Sequence, residues 1–170
     1  MGTKRVGWAR IRSLINENTN ALKMTKRVVE TISESKTLTE SDSGTLFTTT
    51  GAAARTITLP PALTGLEYEF HFGATFTGTF AIHAASSADT FQGVISHHDK
   101  DHLGTVVALN ENIDTDGWNF PAAADYRLTL DADTDGRFIG GWVKFTAVSD
   151  AIWLLQGSLF GDGTTSHIFS

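Results

Sequence analysis

Short segments in which apolar and polar residues alternate are the feature that most constrains the fold of this chain. In "EYEFHFGA" (67–74), an aromatic residue stands at every second position from Tyr68 to Phe72, and Glu or His stands between them. Side chains of a β-strand point alternately to the two faces of a sheet, so this spacing predicts a strand with one buried face. A helix would instead need apolar residues three and four positions apart.

Similar β-rich segments follow one another along the chain from residue 26 onward. Sixteen glycines and eleven phenylalanines suit strands joined by tight turns, because aromatic residues favour strands and glycine favours turns. Short strands at this spacing predict an all-β body, either a β-sandwich or a jelly-roll-like fold. Besides 67–74, the predicted strands are "RVVETIS" (27–33), "TLFTT" (45–49), "RTITLP" (55–60), "TFAIHA" (79–84), "TVVALN" (105–110) and "AIWLLQGSLFG" (151–161).

The segment 126–148 has two β-rich arms with a turn signal between them. The dipeptide Asp135–Gly136 is typical of a tight turn, so the two arms are predicted to pair as a hairpin. Trp142 and Trp153 stand in strand patterns and are predicted to lie in the core. The apolar residues of the arms are Leu128 and Leu130 on the first, and Trp142, Val143 and Phe145 on the second.

The first residues differ from the rest, because their apolar side chains have helical spacing. The segment 4–23 predicts an amphipathic helix of about five turns. It forms an expected N-terminal arm (1–25) in front of a β-sandwich domain (26–170). The apolar stripe either fills a groove on a partner or packs on the chain's own body. The stripe consists of Trp8, Ile11, Ile15 and Leu22, widened by Leu14.

Charge is distributed unevenly along the chain. The net charge is −6, but residues 1–36 carry eight Lys or Arg and three acids, a net +5, whereas the remainder carries −11. Arg5 and Arg12 stand beside the apolar stripe, and with it they are the predicted docking residues. A basic arm on an acidic body predicts attachment to an acidic surface, either protein or nucleic acid. The charged solvent face of a short helix explains the same pattern without a partner.

One histidine-rich segment is a candidate metal site. In "HHDKDH" (97–102), His97, His98 and His102 stand with two aspartates, and imidazole with carboxylate suits zinc, nickel or copper. The glutamate of a metalloprotease motif is missing, and glycines stand on both sides. We therefore predict a polar surface loop and no metal.

Other motifs do not complete a catalytic or calcium site. "DADTDG" (131–136) begins like a calcium loop, but its twelfth position is Trp142 where a bidentate Glu is needed. No Gly-x-Ser-x-Gly elbow or phosphate-binding loop is present. The chain has no cysteine, which excludes disulfides and thiolate metal ligands. We predict that the protein is not an enzyme and needs no cofactor.

Four stretches together resemble a known class of protein. The small virion proteins of tailed bacteriophages that decorate or cement the head, or form head fibres, are similar to this chain over most of its length. The opening stretch is similar to the start of many such proteins from marine phages. The stretches are "MGTKRVGWARIRSLIN" (1–16), "TLTESDSGTLFTTTGAAARTITLP" (37–60), "GLEYEFHF" (65–72) and "WLLQGSLFGDGTTSHIFS" (153–170).

The resemblance implies a structural role on the outer capsid surface of the virion. It implies a β-sandwich or jelly-roll body, symmetric assembly that is often a homotrimer, and attachment to the major capsid protein. It supplies no catalytic residues, and neither a membrane nor direct contact with nucleic acid is expected. The alternative is a head-fibre or tail-fibre module that binds host surface glycans, with Trp118 and the segment 97–102 at its exposed tip.

Overall fold

The computed structural model describes residues 7–23, 27–51, 53–99, 117–130, 139–161 and 168–170, with the backbone alone at 9, 17–23, 99 and 117–119. Over these residues the chain is mostly β, as predicted. The predicted strand at 105–110 and the turn at Asp135–Gly136 lie outside the described residues.

The strands have between two and ten residues, and most of them coincide with the β-rich segments predicted from the sequence. A 3₁₀ turn, Glu40–Asp42, precedes the third strand. The helix is α1 (Trp8–Lys23), and the strands are β1 (Val29–Ile32), β2 (Lys36–Thr37), β3 (Leu46–Thr49), β4 (Arg55–Thr58), β5 (Glu67–Phe72), β6 (Phe80–His83), β7 (Thr90–Asp99), β8 (Gly117–Asn119), β9 (Arg127–Leu130), β10 (Trp142–Ser149) and β11 (Ile152–Gly161).

These strands form two mixed sheets. The seven-stranded sheet has the order β1-β3-β5-β10-β11-β7-β8, and the four-stranded sheet has the order β2-β4-β6-β9. From β1 to β6 the chain enters the two sheets alternately, so that β1, β3 and β5 are parallel neighbours in one sheet. In the same way β2, β4 and β6 are parallel neighbours in the other.

Because the chain alternates between the two sheets, its parallel neighbouring strands are connected without helices. Parallel neighbours need a crossover of a dozen or more residues, which is usually a helix. Here the crossover between two neighbours in one sheet contains a strand of the other sheet, as β2 lies between β1 and β3. The segment from β1 to β6 therefore contributes strands to both sheets.

Aromatic side chains fill the core on the inner side of the seven-stranded sheet. In β5, Tyr68, Phe70 and Phe72 are at most 1% exposed, which confirms the alternation expected for this strand. The ring of Phe70 stacks on Phe47 at a centroid distance of 5.3 Å and meets Phe145 edge-on at 5.9 Å. Neighbouring strands of this sheet are thus held by direct ring contacts as well as by backbone hydrogen bonds.

A second group of rings connects the two sheets. Phe72 of β5 and Phe80 of β6 lie 5.4 Å apart, and Phe76 from the intervening loop contacts both, at 5.2 and 5.1 Å. All three rings are at most 1% exposed. Buried residues of both sheets belong to one hydrophobic core.

The predicted hairpin at 126–148 is wrong. β9 pairs with β6 in the four-stranded sheet, whereas β10 pairs with β5 and β11 in the seven-stranded sheet. A local turn signal fixes where the chain reverses, but it does not fix which strand each arm pairs with. The partner of each arm is chosen by long-range packing, which the segment itself does not contain.

The last residues of the chain lie along the free edge of the four-stranded sheet. The amide of Thr129 in β9 donates to the carbonyl of Ile168 at 2.8 Å, and Ser170 donates to Arg127 at 3.1 Å. An uncovered sheet edge is a template for unwanted pairing with other chains. The C-terminal residues satisfy part of this edge within the molecule.

A glycine in β7 permits the close approach of its parallel partner β11. Gly93 has φ +126°, and a Cβ there would lie 2.1 Å from the carbonyl oxygen of Leu155. A contact this short requires the backbone to shift, since the obstructing atom belongs to the main chain. Gly65 also has a positive φ, +98°, but a Cβ there would meet no atom within 4 Å.

We expect Gly93→Ala to destabilise the protein far more than Gly65→Ala. Backbone strain alone costs roughly 1–2 kcal/mol, which for a chain of this size lowers the melting temperature by about 2–8 °C. The added clash at Gly93 should lower it by at least about 10 °C or prevent folding. Thermal unfolding followed by circular dichroism measures both variants. Equal losses for the two would show that β7 and β11 do not need the close approach.

Candidate functional site

The helix α1 begins with positive charge at its amino end. The carbonyl of Gly7 accepts hydrogen bonds from the amides of Arg10 (2.9 Å) and Ile11 (3.3 Å), which closes the first turn. That turn contains no acidic residue, and Arg10 and Arg12 are both exposed. The helix dipole also places partial positive charge at this end. The first turns of α1 therefore favour an anionic neighbour.

The apolar stripe of α1 is exposed wherever its side chains are described. Trp8 is 70% exposed, Ile15 56%, Leu14 51% and Ile11 37%. The described part of the chain's own body therefore does not cover these side chains. Leu22 lies in α1, where the backbone alone is described, and Arg5 lies outside the described residues.

The histidine-rich segment is not a loop over the residues that can be described. β7 continues through Asp99, so the loop prediction is wrong for 97–99. Its partner β11 is long enough to pair as far as Gly161, which keeps the segment extended. His97 is 1% exposed and points to the core, whereas the ring of His98 lies 5.5 Å from that of Phe160.

His97 and His98, the two histidines of this segment that the structure describes, do not form a shared metal site. Successive residues of a strand point to opposite faces, so His97 and His98 cannot bind the same ion. His102 lies outside the described residues. Among the residues that are described, no group of three or more His, Cys, Asp or Glu side chains is arranged to hold a metal.

Trp118 and the histidine segment lie on neighbouring strands. β8 is the edge strand of the seven-stranded sheet and pairs with β7, with Trp118 opposite Ser96 and Gly117 opposite His97. The two segments predicted for an exposed tip are thus brought together in the backbone register.

Trp142 is placed differently from the prediction. It is half-buried on the outer face of the seven-stranded sheet, defined here as the face turned away from the core, whereas Trp153 is fully buried as predicted. In β10 the buried set is Val143, Phe145 and Ala147. Trp142 and Lys144 stand two positions apart and therefore share a face of the strand, opposite to the face of Val143. This alternation in the sequence could have predicted that Trp142 lies on the outer face.

On the outer face, Trp142 pairs with a histidine that the sequence did not single out. His71 of β5 is directly opposite Trp142 in register, and the two rings lie 6.5 Å apart with planes inclined by 22°. The side chain of His71 is 45% exposed. The two residues are far apart in the sequence and meet only because β5 and β10 are neighbours.

A carboxylate holds this histidine in place. His71 Nε2 donates to Glu69 Oε1 at 2.7 Å, and Arg27 donates to Glu69 Oε2 at 2.5 Å. Burial raises the pKa of Glu69, but the hydrogen bonds and charges of His71 and Arg27 outweigh it and bring the pKa below its ordinary value of 4.5. Glu69 is therefore ionised at neutral pH and fixes the orientation of the His71 ring.

The charges on this face are matched in pairs. Besides the Arg27–Glu69 pair, Lys144 Nζ lies 2.9 Å from Glu67 Oε2. The same register row that contains His71 and Trp142 continues through Ser158 of β11 and Ser96 of β7. The outer face thus combines an aromatic pair, small hydroxyl side chains and neutralised ions.

Compared with protein-family models, curated proteins and solved structures, the chain matches none of them. Within the described residues, the chain has no helix of the length and hydrophobicity that a bilayer crossing requires. The surfaces with distinctive chemistry among these residues are the exposed stripe of α1 and the outer face around Trp142.

We expect Glu69→Gln to reduce the acid sensitivity of folding. Because the folded pKa of Glu69 is depressed, its stabilisation is complete above pH 4.5 and is lost as the pH falls through the folded pKa. The wild type should therefore lose melting temperature below pH 4.5 more steeply than the variant.

Glu34, which is exposed, supplies the matched control, because Glu34→Gln removes one carboxylate as Glu69→Gln does but leaves the contacts of Glu69 with His71 and Arg27 intact. Part of the loss of melting temperature at low pH should persist in every variant, because Asp42 also contributes to it. Burial raises the pKa of Asp42, but hydrogen bonds from Thr39 and the nearby Lys36 outweigh it, so that this pKa is also lowered. Identical pH profiles for Glu69→Gln and the wild type would contradict the prediction.

Proposed function

We propose that this chain is a structural protein of the bacteriophage virion that decorates the capsid and stabilises its shell. The observation that carries the proposal is the exposed apolar stripe of α1 beside a cationic first turn. A decoration protein needs a rigid body and a docking element, and the sheets and α1 are suited to these two roles. The resemblance of the sequence to phage head proteins points to the same class. The proposed location is the outer capsid surface.

The proposed docking partner is the major capsid protein, with α1 lying in an apolar groove that has an acidic rim. Transfer of each large apolar side chain from water contributes roughly 1.5–3 kcal/mol. Lost motional freedom opposes this gain, so a stripe of four side chains supports a modest affinity for a single copy. Many copies on a symmetric shell, joined to each other, bind with avidity. No membrane and no direct nucleic-acid contact is part of the proposal.

For the body we propose a β-sandwich, with residues 1–25 as a separate arm. One core that includes side chains of both sheets supports the sandwich. Among the described strand pairs, five are parallel and four are antiparallel. A jelly roll is an antiparallel architecture, so the sandwich is the better match of the two folds expected from the sequence.

The alternative proposal is a head-fibre or tail-fibre module that recognises host glycans. One observation favours this alternative. Trp118 in β8 and the start of the segment 97–102 in β7 are adjacent in the register of the two strands. The two proposals differ in what they require of α1. A decoration protein loses its attachment to capsids when the stripe is removed, whereas a fibre tip keeps its glycan binding.

We expect Trp8→Ser combined with Ile15→Ser to weaken binding to undecorated capsids by at least about tenfold, since two large apolar contacts are lost. Binding is measured by co-sedimentation of the full chain with the capsids. Leu63→Ser is the matched control, because Leu63 is 44% exposed on the loop between β4 and β5. It should bind like the wild type.

The dependence of capsid binding on ionic strength distinguishes the contribution of the basic first turn of α1 from that of its apolar stripe. If the basic first turn contributes, binding should weaken as ionic strength rises to physiological levels, where exposed charges are screened beyond about 8 Å. Full-strength binding by the double variant would contradict docking through α1. Binding that does not respond to salt would restrict the contact to the apolar stripe.

We also expect the protein to be a homotrimer. Among the described strands, β1 lies at one edge of the seven-stranded sheet, and its Val29 is 60% exposed. Assembly between copies would cover this edge and leave the stripe of α1 for the capsid. Sedimentation equilibrium of the full chain at micromolar concentration measures the oligomer. A monomer in solution that also remains unassembled on capsids would contradict this expectation.

A further inference from the structure

The outer face of the seven-stranded sheet has an aromatic pair that is fixed before any ligand arrives. His71 is held by Glu69 at 2.7 Å, and Glu69 is held in turn by Arg27. The ring of Trp142 lies next to that of His71 at 6.5 Å on the neighbouring strand. Because β10 is an interior strand of the sheet, the backbone beneath Trp142 is fixed on both sides. Side chains ordered in advance reduce the entropy cost of binding.

The electrostatics of this face favour an uncharged ligand. Its described carboxylates, Glu67 and Glu69, are each paired with a cation, Lys144 and Arg27. The two carboxylates and the two cations of this face therefore balance each other in charge. Binding of a nucleic acid requires Lys and Arg that are free to neutralise phosphates. A polyanion would have to displace Glu67 and Glu69 from their partners.

Hydroxyl side chains extend the aromatic pair into a row across the sheet. Ser158 is opposite Trp142, and Ser96 is opposite Ser158, so the row His71–Trp142–Ser158–Ser96 crosses four strands. With strands about 4.8 Å apart, this row is about 14 Å long. The hydroxyl of Ser96 donates to the carbonyl of Gly157 at 3.2 Å, so Ser96 offers a ligand its acceptor lone pairs. The hydroxyl of Ser158 has both acceptor lone pairs and one donor. The row is long enough for several units of a linear ligand.

We propose that this outer face binds a neutral glycan chain, with Trp142 and His71 as the stacking platform and Ser158 and Ser96 as hydrogen-bonding groups. A sugar ring has an apolar C–H face and a rim of hydroxyls, which matches an aromatic surface beside small polar groups. The buried centre of a protein interface is depleted of charged residues. Here, Lys144 and Glu69 face each other within the face, two register positions from the Trp142–His71 pair. The neutral glycan is therefore the better fit.

This inference does not rest on the proposed function, because capsid docking is assigned to α1 and glycan binding to the sheet. A decoration protein with such a face would attach the virion to a glycan-coated surface. The glycan site would remain if docking through α1 failed, and docking would remain if the glycan site failed.

The test uses the full chain and a panel of neutral oligosaccharides: cellohexaose, chitohexaose, maltohexaose and mannohexaose. Isothermal titration calorimetry and intrinsic tryptophan fluorescence measure binding. We expect at least one member of the panel to bind, and Trp142→Ala to weaken that binding at least about tenfold, as removal of a central aromatic residue does. His71→Ala should weaken it as well, whereas Trp142→Phe should retain part of it.

Val148→Ala is the matched control, because Val148 is 48% exposed at the far end of the same strand, β10. It should bind the oligosaccharide like the wild type, and circular dichroism verifies that each variant is folded. If Trp142→Ala does not fold, the exposed His71→Ala variant decides the question in its place.

Four results would overturn the proposal, three of them from the panel and its variants and one from an acidic polymer. The first is that the wild type binds no member of the panel. The second is that the folded platform variants bind as tightly as the wild type. The third is that Trp142→Ala changes the oligomeric state or capsid binding while glycan binding stays intact, which would assign the face to a protein contact. Tighter binding of an acidic polymer such as heparin would likewise exclude a site for neutral glycans.

Discussion

The contact of Phe72 with Phe80, completed by Phe76, joins the two sheets, and the rest of the structure depends on it. From β1 to β6 each connection crosses from one sheet to the other, so the parallel pairs of the two sheets are built from the same segment of the chain. A local hairpin pairs two strands before the core exists, but parallel neighbours separated by a strand of the other sheet cannot do so. Ring packing between the sheets therefore has to accompany strand pairing. The density of phenylalanine in this part of the chain follows from that requirement.

The two sheets share one hydrophobic core, and among the described residues two exposed surfaces have different chemistry. The stripe of α1 is apolar beside positive charge, which suits an acidic groove on a protein. The outer face of the seven-stranded sheet is aromatic and polar with its ions paired, which suits a neutral ligand. The ion pairs on this face are partly exposed, and such pairs contribute little to stability. Their effect is to orient side chains, as Glu69 orients His71 beside Trp142.

The row of side chains on the outer face also depends on the close approach of the backbones of β7 and β11. The row that contains Trp142 reaches Ser96 only because β7 lies directly against β11, and Gly93 makes that contact possible. A side chain at this position would push β7 away from β11 and would separate Ser96 from the rest of the row, whereas Ser158 would stay opposite Trp142. The same glycine thus connects the packing of the core with the geometry of the outer face.

The sequence by itself determined the positions of most strands and the apolar stripe of the helix, because both are local periodic patterns. It left open whether the chain's own body covers that stripe, and the structure shows that the described part of the body does not. The alternation in β5 predicted its buried face, and the spacing of Trp8, Ile11 and Ile15 predicted a helix with one apolar face. Only the tertiary structure decided which strands are neighbours. The arms of 126–148 separate into different sheets, and β7 continues through 97–99 because β11 is long enough to pair with it. The Trp142–His71 pair arises from register between distant strands, and register depends on packing that no single segment contains.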